Sequence, residues 1–192
     1  MGKNIKMLKV YREVLKGNKY EIEKVIPNMY ARNFYDIDFD RLREINIDNL
    51  IIDIDGTILP VDGMLVPEKL VRQMSILREN DFNIVLVSNN DMDRVVPIGK
   101  ILDLKCLYKA NKPLSECYDK ALDILDANKD NVAMIGDQML TDVYGANSYG
   151  IYSILVDPID KKNNIGTYTN RCLQNSMEKY LKKKKIYEKR IG

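Results

Sequence analysis

The sequence predicts an α/β domain in which helices cover both faces of a parallel sheet. Short, nearly continuous apolar segments alternate along the chain with segments whose apolar residues recur every three or four positions. The first pattern is typical of strands buried on both faces, and the second is typical of amphipathic helices. With 192 residues and 45% hydrophobic content, the chain is long enough for one domain with a full core.

The predicted elements alternate between helix and strand. The first is an amphipathic helix over residues 4–15, closed by Gly17, whose apolar face is formed by Ile5, Leu8, Tyr11 and Leu15. A polar connection containing Pro27 follows it. Strands are predicted near residues 51–54, 82–87, 105–108, 132–135 and 151–156. Further helical segments are predicted at residues 67–79, at 91–102 with a kink or break at Pro97, at 114–125 and at 141–148.

Two carboxylates close the first predicted strand. Asp53 and Asp55 lie two positions apart, and alternate strand residues face the same side, so we expect both to project into one crevice. Gly56 permits a tight turn directly after them. Neighbouring carboxylates repel each other unless a cation binds them, which points to a divalent metal ion. The alternative is that the pair only ends a strand and starts a turn.

Other polar residues follow the later strands. Ser88 and Asn89 come after the second strand, Lys112 precedes a helix, and Asp137 and Asp142 come after the fourth strand. Parallel sheets bind ligands beyond the carboxyl ends of their strands, where these residues are predicted to lie. Each also has a plain structural alternative, because Ser88 can start a turn, Lys112 can be a solvated lysine, and Asp142 can cap a helix.

Composition excludes several classes of function. The chain contains no histidine, so Ser-His-Asp hydrolysis, Cys-His proteolysis and histidine metal sites are all excluded. No apolar segment approaches the roughly 20 residues that a membrane span requires, and the first residues lack the pattern of a secretory signal. We therefore expect a cytoplasmic protein.

Taken in order, these motifs resemble those of the haloacid dehalogenase (HAD) superfamily of phosphotransferases. The motifs are Asp53-Ile54-Asp55-Gly56-Thr57, Ser88, Lys112, and Gly136-Asp137 with Asp142. Over residues 27–171 the chain looks closer still to the YqeG-like branch. The motifs that carry this resemblance are Tyr35-Asp36-Ile37-Asp38, Val87-Ser88-Asn89-Asn90, Lys112-Pro113, Gly136-Asp137-Gln138 with Thr141-Asp142, and Gly166-Thr167 with Asn170-Arg171. At position 56 this chain has glycine, whereas asparagine is usual at that position in the YqeG-like branch. The resemblance implies a three-layer, Rossmann-like HAD fold.

The resemblance also implies a role for each site residue. Asp53 would attack phosphorus to form an aspartyl-phosphate, and Asp55 would act as general acid and then as general base. Ser88 and Lys112 would bind the phosphoryl group and offset its charge. The implied Mg²⁺ ligands are Asp53, the Asp55 carbonyl, Asp137 and Asp142. The implied substrate-binding residues are Gly56, Thr57, Asn89 and Arg171. For Arg171 the alternative is one more residue of a basic helix.

Spacing leaves no room for a cap domain. Only 34 residues lie between Asp53 and Ser88, and 23 between Ser88 and Lys112, and the predicted helices and strands use most of them. An open crevice suits a large substrate or one presented at a surface. YqeG-like proteins are similar to phosphatidylglycerophosphate phosphatases, so the resemblance implies that a lipid headgroup phosphate is a candidate substrate.

Charge is distributed unevenly along the chain. The net charge is +2, but residues 161–192 hold ten Lys or Arg against Glu178 and Glu188, a net charge of +8. We expect a single phosphatase domain over residues 1–180, of which 1–26 form the amino-terminal helix and connection, and a basic tail over 181–192. Such a tail fits peripheral contact with the anionic inner face of a membrane. The alternative is a solvated helix face.

The sequence therefore predicts an Mg²⁺-dependent phosphomonoester hydrolase, with phosphatidylglycerophosphate as a candidate substrate. A phosphatase of phosphoproteins or of nucleic-acid ends would use the same open site. A third hypothesis is a non-catalytic protein that binds anions through a vestigial site. We do not expect nucleic acid as a partner.

Overall fold

The computed structural model describes residues 3–61, 63–159 and 165–187. Within these ranges, six strands form one parallel sheet in the order β1-β6-β5-β2-β3-β4. The strands are β1 Met29–Ala31, β2 Asn49–Ile52, β3 Asn83–Val87, β4 Lys105–Leu107, β5 Val132–Gly136 and β6 Tyr152–Val156. The helices are α1 Lys3–Leu15, α2 Lys19–Val25, α3 Phe39–Glu44, α4 Glu68–Glu79, α5 Met92–Leu102, α6 Ser115–Leu125, α7 Tyr144–Tyr149 and α8 Ile165–Lys183.

The sheet lies between two layers of helices, which confirms the predicted three-layer α/β fold. On β2, Leu50 and Ile52 face one side and Ile51 faces the other, as the period of a strand requires. Helices α3, α4 and α5 cover the first face through Leu42, Leu70, Met74, Val95 and Ile98. Helices α6 and α7 cover part of the opposite face, and α1, α2 and α8 cover the rest through Met7, Val14, Ile22, Met177 and Leu181.

The connections that follow β2 and β3 contain no inserted domain among the described residues. In the described residues, β2 and β3 are joined by a loop and α4, and β3 and β4 are joined by α5. Neither connection holds a cap domain, in agreement with the spacing of the motifs. The predicted first strand is shifted, because β2 ends at Ile52. The backbone turns at Ile54, whose carbonyl accepts hydrogen bonds from the amides of residues 57–59.

Short helices and a short strand lie where the sequence predicts a polar connection. The segment between Gly17 and β2 contains α2, β1 and α3. Helices of seven and six residues and a strand of three are too short to show a clear apolar period. Their local signals are the helix caps: the side chains of Asn18 and Asp38 accept hydrogen bonds from the amides of Glu21 and Arg41.

Pro97 does not break helix α5. The helix runs from Met92 to Leu102 with Pro97 inside it, so a break there is wrong, and the alternative of a kink stays a prediction. Proline removes one helix hydrogen bond, but Val95, Ile98 and Leu102 are buried against the sheet. This packing offsets the missing bond.

Helix α1 turns a different face to the core from the one predicted. Met7, Val10 and Val14 are buried, whereas Ile5 and Leu8 are 60% and 42% exposed. Both sets of residues recur at helical spacing, so periodicity alone does not distinguish them. The face is selected by packing against Met177 and Leu181 of α8.

Helix α8 extends beyond the predicted start of the basic tail. It ends at Lys183, and Leu181 in its last turn is fully buried. Of the predicted tail, residues 188–192 lie outside the described residues. None of the described helices is long and apolar enough to span a membrane.

We predict that Leu181→Ala lowers the free energy of unfolding by about 3 kcal/mol, because it leaves a cavity between α8 and α1. Urea unfolding followed by circular dichroism measures the change. Leu65→Ala is the matched control, since Leu65 is 84% exposed, and it should change stability by less than about 0.5 kcal/mol. Equal effects of the two substitutions would show that the end of α8 is not part of the core.

Candidate active site

The candidate site lies beyond the carboxyl ends of the central strands. Asp53 follows β2, Ser88 follows β3 and Asp137 follows β5. Lys112 reaches the same place from the segment between β4 and α6. All four side chains are buried. The structure therefore brings together the residues that the motifs selected, at the edge of the sheet where the topology predicted them.

A tight turn after β2 begins the site. Gly56 has a φ of +89°, and a Cβ atom there would lie 2.6 Å from Asp137 Oδ2. Its amide donates to the carbonyl of Leu59 at 2.7 Å, so this N–H serves the turn. Glycine is required here by backbone conformation and by space. We had expected Gly56 to lie against the substrate, but the structure places it against Asp137.

Three buried carboxylates form the acidic part of the site. Oxygens of Asp53, Asp137 and Asp142 lie within 4.8 Å of one another. Asp142 belongs to a π-helical turn, Met139–Val143, and Gly136 makes room for it, because a Cβ at Gly136 would lie 2.3 Å from the Asp142 carboxyl group. This group, which we call the acid triad, contains three of the four residues expected to bind metal.

Three negative charges on the acid triad are energetically unfavourable. Burial, followed by repulsion from Asp53, raises the pKa of Asp142 to about 6, although Lys112 acts in the opposite direction. Burial and repulsion from Asp53 and Asp142 also raise the pKa of Asp137 well above its usual value. Three close carboxylates without histidine or thiolate are a ligand set for a hard divalent cation. The residues present therefore fit a site for Mg²⁺ or a similar ion.

Lys112 is the cation that the acid triad surrounds. Its Nζ lies 2.5 Å from Asp53 Oδ1 and 2.8 Å from Asp142 Oδ1. Burial alone would lower the pKa of Lys112, but the two carboxylates outweigh burial and raise it, so the lysine stays charged. Asn89 holds the lysine in place by accepting from its amide at 2.7 Å and donating to its carbonyl at 3.3 Å. Asn89, expected to contact substrate, is thus bonded to the backbone of Lys112.

Asp55 lies in a separate cluster, so the two carboxylates of the first motif do not share partners. Asp55 Oδ2 accepts from Asn90 Nδ2 at 2.7 Å and from Ser88 Oγ at 3.3 Å. Asp55 Oδ1 accepts from Arg94 Nε at 2.8 Å. Burial and the Asp53 charge raise the pKa of Asp55, while Arg94 opposes them. Ser88, expected on a phosphoryl oxygen, here donates to Asp55.

Two predicted substrate-binding residues contact the acid triad. Thr57 Oγ1 lies 3.1 Å from Asp53 Oδ2 and 3.4 Å from Asp137 Oδ1. Arg171 Nη2 lies 3.1 Å from Asp137 Oδ2. The Nε atom of Arg171 is buried and has no hydrogen-bond partner among the described residues. It is therefore a donor suited to an anionic ligand.

Sequence reasoning missed three residues of the site. Gln174 on α8 accepts from the amide of Met139 at 2.9 Å and donates to the carbonyl of Asp137 at 3.2 Å, which fixes the turn after β5. Gln174 comes three positions after Arg171, and residues at this spacing share one face of a helix. This spacing was the sequence signal that could have identified Gln174. Asn90 belongs to the motif Val87-Ser88-Asn89-Asn90, but no role in the site was predicted for it. Arg94 carried no signal, because an arginine in the first turn of a helix usually lies in solvent.

Comparisons with known proteins show the family to which the chain belongs. A family model described as HAD-hydrolase-like matches residues 109–158. Over 159 residues the chain is 30% identical to the probable phosphatase YqeG of Bacillus subtilis (strain 168). The match covers 83% of this chain and 92% of that protein. The chain belongs to the HAD superfamily, and it is a phosphatase of the kind that YqeG represents.

The solved structures that match the chain have lower sequence identity to it. A 3-deoxy-D-manno-octulosonate 8-phosphate phosphatase from Yersinia pestis is 15% identical, with a TM-score of 0.47 over 75% of this chain and 85% of that chain. A haloacid dehalogenase-like hydrolase from Brucella suis 1330 is 13% identical, with a TM-score of 0.48 over 68% of this chain and 95% of that chain.

Proposed function

We propose that the protein hydrolyses phosphomonoesters through a phosphorylated Asp53, with Mg²⁺ as its cofactor. The observation that carries this proposal is the buried contact of Asp53 with Lys112 inside the acid triad. A carboxylate with a fixed lysine beside it and further carboxylates to bind a metal ion is suited to attack an anionic phosphoryl group. Membership of the HAD superfamily supports the same chemistry.

Asp53 is the nucleophile in the first step. One of its oxygens attacks phosphorus while the bond from phosphorus to the ester oxygen breaks, and Asp55 gives a proton to that departing oxygen. Thr57 and Lys112 hold the two oxygens of Asp53 and so orient the carboxylate. The charged lysine offsets the negative charge that develops during transfer.

The second step releases phosphate and restores the enzyme. Asp55, now ionised, takes a proton from a water molecule whose oxygen attacks phosphorus, and the bond between phosphorus and Asp53 breaks. Asp53 and Asp137, together with the carbonyl of Asp55 and the carboxylate of Asp142, would hold Mg²⁺. When bound, the ion offsets the repulsion between the acidic nucleophile and the anionic substrate.

The first prediction concerns the nucleophile. Asp53→Asn should lower kcat on 4-nitrophenyl phosphate by at least about 10³-fold, because an amide forms no acyl-phosphate at a useful rate. Mass spectrometry of acid-quenched protein should show a phosphoryl group on the wild type alone. Asp126→Asn is the control, since this exposed residue ends α6 at a φ of +52°, which asparagine accepts. A rate of about 10% of wild type in Asp53→Asn, a barrier change of only about 1.4 kcal/mol, would show that Asp53 is not the nucleophile. A wild type without turnover would favour the vestigial-site hypothesis.

The second prediction concerns the metal ion. Chelation with EDTA should abolish turnover and Mg²⁺ should restore it, whereas Ca²⁺ should inhibit because its larger coordination shell places the ligands differently. Without substrate, Mg²⁺ at about 100 times its Kd should stabilise the fold by about 2.7 kcal/mol. Asp137→Asn should lose most of that stabilisation, and Asp126→Asn should keep it. Full turnover after exhaustive chelation would refute the metal requirement.

For the substrate, we propose an amphiphilic phosphomonoester such as phosphatidylglycerophosphate. Five exposed apolar side chains come after β2, β3, β4 and β6, on the segments that follow the carboxyl ends of these strands. We define them as the apolar rim: Met64, Leu65, Met92, Tyr108 and Ile159. The rim is bonded to the site: Met64 Sδ lies 3.1 Å from Arg94 Nη1, and the amide of Ile159 donates to the carbonyl of Gly56 at 2.9 Å. Apolar side chains that are exposed together are typical of an interaction surface, and we propose that the apolar rim is such a surface.

Basic residues supply a second candidate membrane contact. Lys182–Lys185 are exposed at the end of α8. Helix α1 packs on α8 and exposes Ile5 and Leu8. The apolar residues that we had predicted for the core side of α1 are thus partly available to an interface. Each lysine near an anionic bilayer contributes about 1 kcal/mol of attraction, and added salt weakens it.

The third prediction separates these two surfaces. Leu65→Ser with Met92→Ser should lower kcat/KM on phosphatidylglycerophosphate in mixed micelles by about 10-fold, as expected for loss of two apolar contacts. Turnover of 4-nitrophenyl phosphate should stay within about 2-fold. Replacing Lys182–Lys185 by glutamine should reduce binding of the protein to anionic vesicles at low salt. Binding to zwitterionic vesicles should not change. Faster turnover of phosphopeptides or 3′-phosphorylated oligonucleotides than of the lipid would support the alternative phosphatase function instead.

A further inference from the structure

We propose that Arg94 is a positioning residue that holds the carboxyl group of Asp55 where it protonates the leaving group. The proposal rests on the proposed function, because it concerns the acid of the same reaction. Arg94 lies in the first turn of α5, and its side chain is only 14% exposed. Nothing in its sequence environment suggested that it belongs to the site.

The guanidinium group of Arg94 joins three parts of the structure. Its Nε and Nη2 atoms lie 2.8 Å and 2.7 Å from Asp55 Oδ1. Its Nη1 donates to the carbonyl of Gly63 at 2.6 Å, and its Nη2 donates to the carbonyl of Pro60 at 3.0 Å. A planar guanidinium with several fixed acceptors has one orientation, so Asp55 Oδ1 is held against a rigid group.

The other contacts of Asp55 do not fix its carboxyl group equally well. Asn90 and Ser88 both contact Oδ2, and the Ser88 bond is long at 3.3 Å. Bonds to one oxygen leave the group free to rotate about that oxygen. The contact with Arg94 adds a restraint at Oδ1 and keeps Asp55 apart from the acid triad. Arg94 therefore sets both the plane and the location of the acid.

A purely structural role is the alternative. Arg94 would then only attach residues 60–63 to α5, and its loss would destabilise the fold or slow all substrates alike. A positioning role predicts an effect that depends on the leaving group. When Asp53 attacks phosphorus, an alkoxide leaves slowly unless Asp55 protonates it, whereas 4-nitrophenolate leaves without a proton. A displaced acid therefore slows the cleavage of alkyl phosphates selectively.

The test compares kcat/KM for glycerol 3-phosphate, an alkyl phosphate, with kcat/KM for 4-nitrophenyl phosphate. This parameter covers steps up to the phosphorylation of Asp53, so the later hydrolysis of the phosphoenzyme does not mask the effect. We expect Arg94→Gln to lower the value for the alkyl ester by about 100-fold, the size of a general-acid contribution, and the value for the aryl ester by less than about 3-fold. Arg94→Lys keeps the charge but not the planar fork, and it should show the same selectivity with a smaller loss.

Arg78→Gln is the matched control. Arg78 Nη1 also contacts an aspartate and a backbone carbonyl, at 2.7 Å and 3.0 Å, and both belong to Asp103. These contacts join the end of α4 to the end of α5, away from the site. The control removes contacts of the same kind, and it should leave the ratio of the two kcat/KM values unchanged.

A double-mutant cycle distinguishes action through Asp55 from independent action. On an Asp55→Asn background, Arg94→Gln should cause no further loss on the alkyl ester, because the acid is already absent. An additive loss, or an equal loss on both esters in Arg94→Gln or Arg94→Lys, would overturn the positioning role. The proposed function fails separately, if Asp53→Asn stays active.

Discussion

The contact between Lys112 and the acid triad is the constraint on which the rest of the site depends. Three carboxylates buried at one point would be strongly unfavourable without an internal cation, because burial removes the water that would solvate their charges. Lys112 contacts two of the three, and Arg171 contacts the third. Two positive charges against three carboxylates leave the site short of positive charge, which is the electrostatic basis of the proposed metal binding.

Residues from several distant parts of the chain hold the groups of this contact in place. Asn89 fixes the backbone of Lys112 from the end of β3. Gly136 leaves the space that Asp142 occupies, and Gln174 of α8 fixes the turn that carries Asp137. The site is therefore assembled from backbone restraints as much as from charged side chains. Its precision comes from rigid elements of the sheet rather than from a covering domain.

The sequence predicted the fold and the identity of most site residues, for physical reasons that can be named. Near-continuous apolar strands such as β3 and β5 are stable only in a sheet that is covered on both faces. The polar residues that follow these strands therefore lie at the edge of the sheet formed by the carboxyl ends of the strands. The partners of these residues were not predictable. Asp53 and Asp55 look alike in sequence, but one contacts Lys112 and the other Arg94. That difference depends on the three-dimensional positions of the β4–α6 segment and of α5.

Other failures also follow from tertiary packing. Periodicity allowed two faces for α1, and only contact with α8 selected the one that contains Met7 and Val14. The short elements α2, β1 and α3 are held by caps and by the pairing of β1 with β6. Such elements have too few residues for a pattern of their own. Arg94 resembled a surface arginine because its acceptors lie more than thirty residues away in the chain.

The position of α8 in the chain has a consequence for biosynthesis. Asp53, Lys112 and Asp137 are present once β5 and the turn after it have been made, but Arg171 and Gln174 arrive only with α8, which follows every other described element. The same helix covers the buried face of α1, the first helix of the chain. A nascent chain that ends after β6 would thus hold the acidic residues with an exposed apolar surface and without the side chains that secure Asp137. Protection from aggregation and completion of the site therefore coincide, at the point in translation when α8 leaves the ribosome.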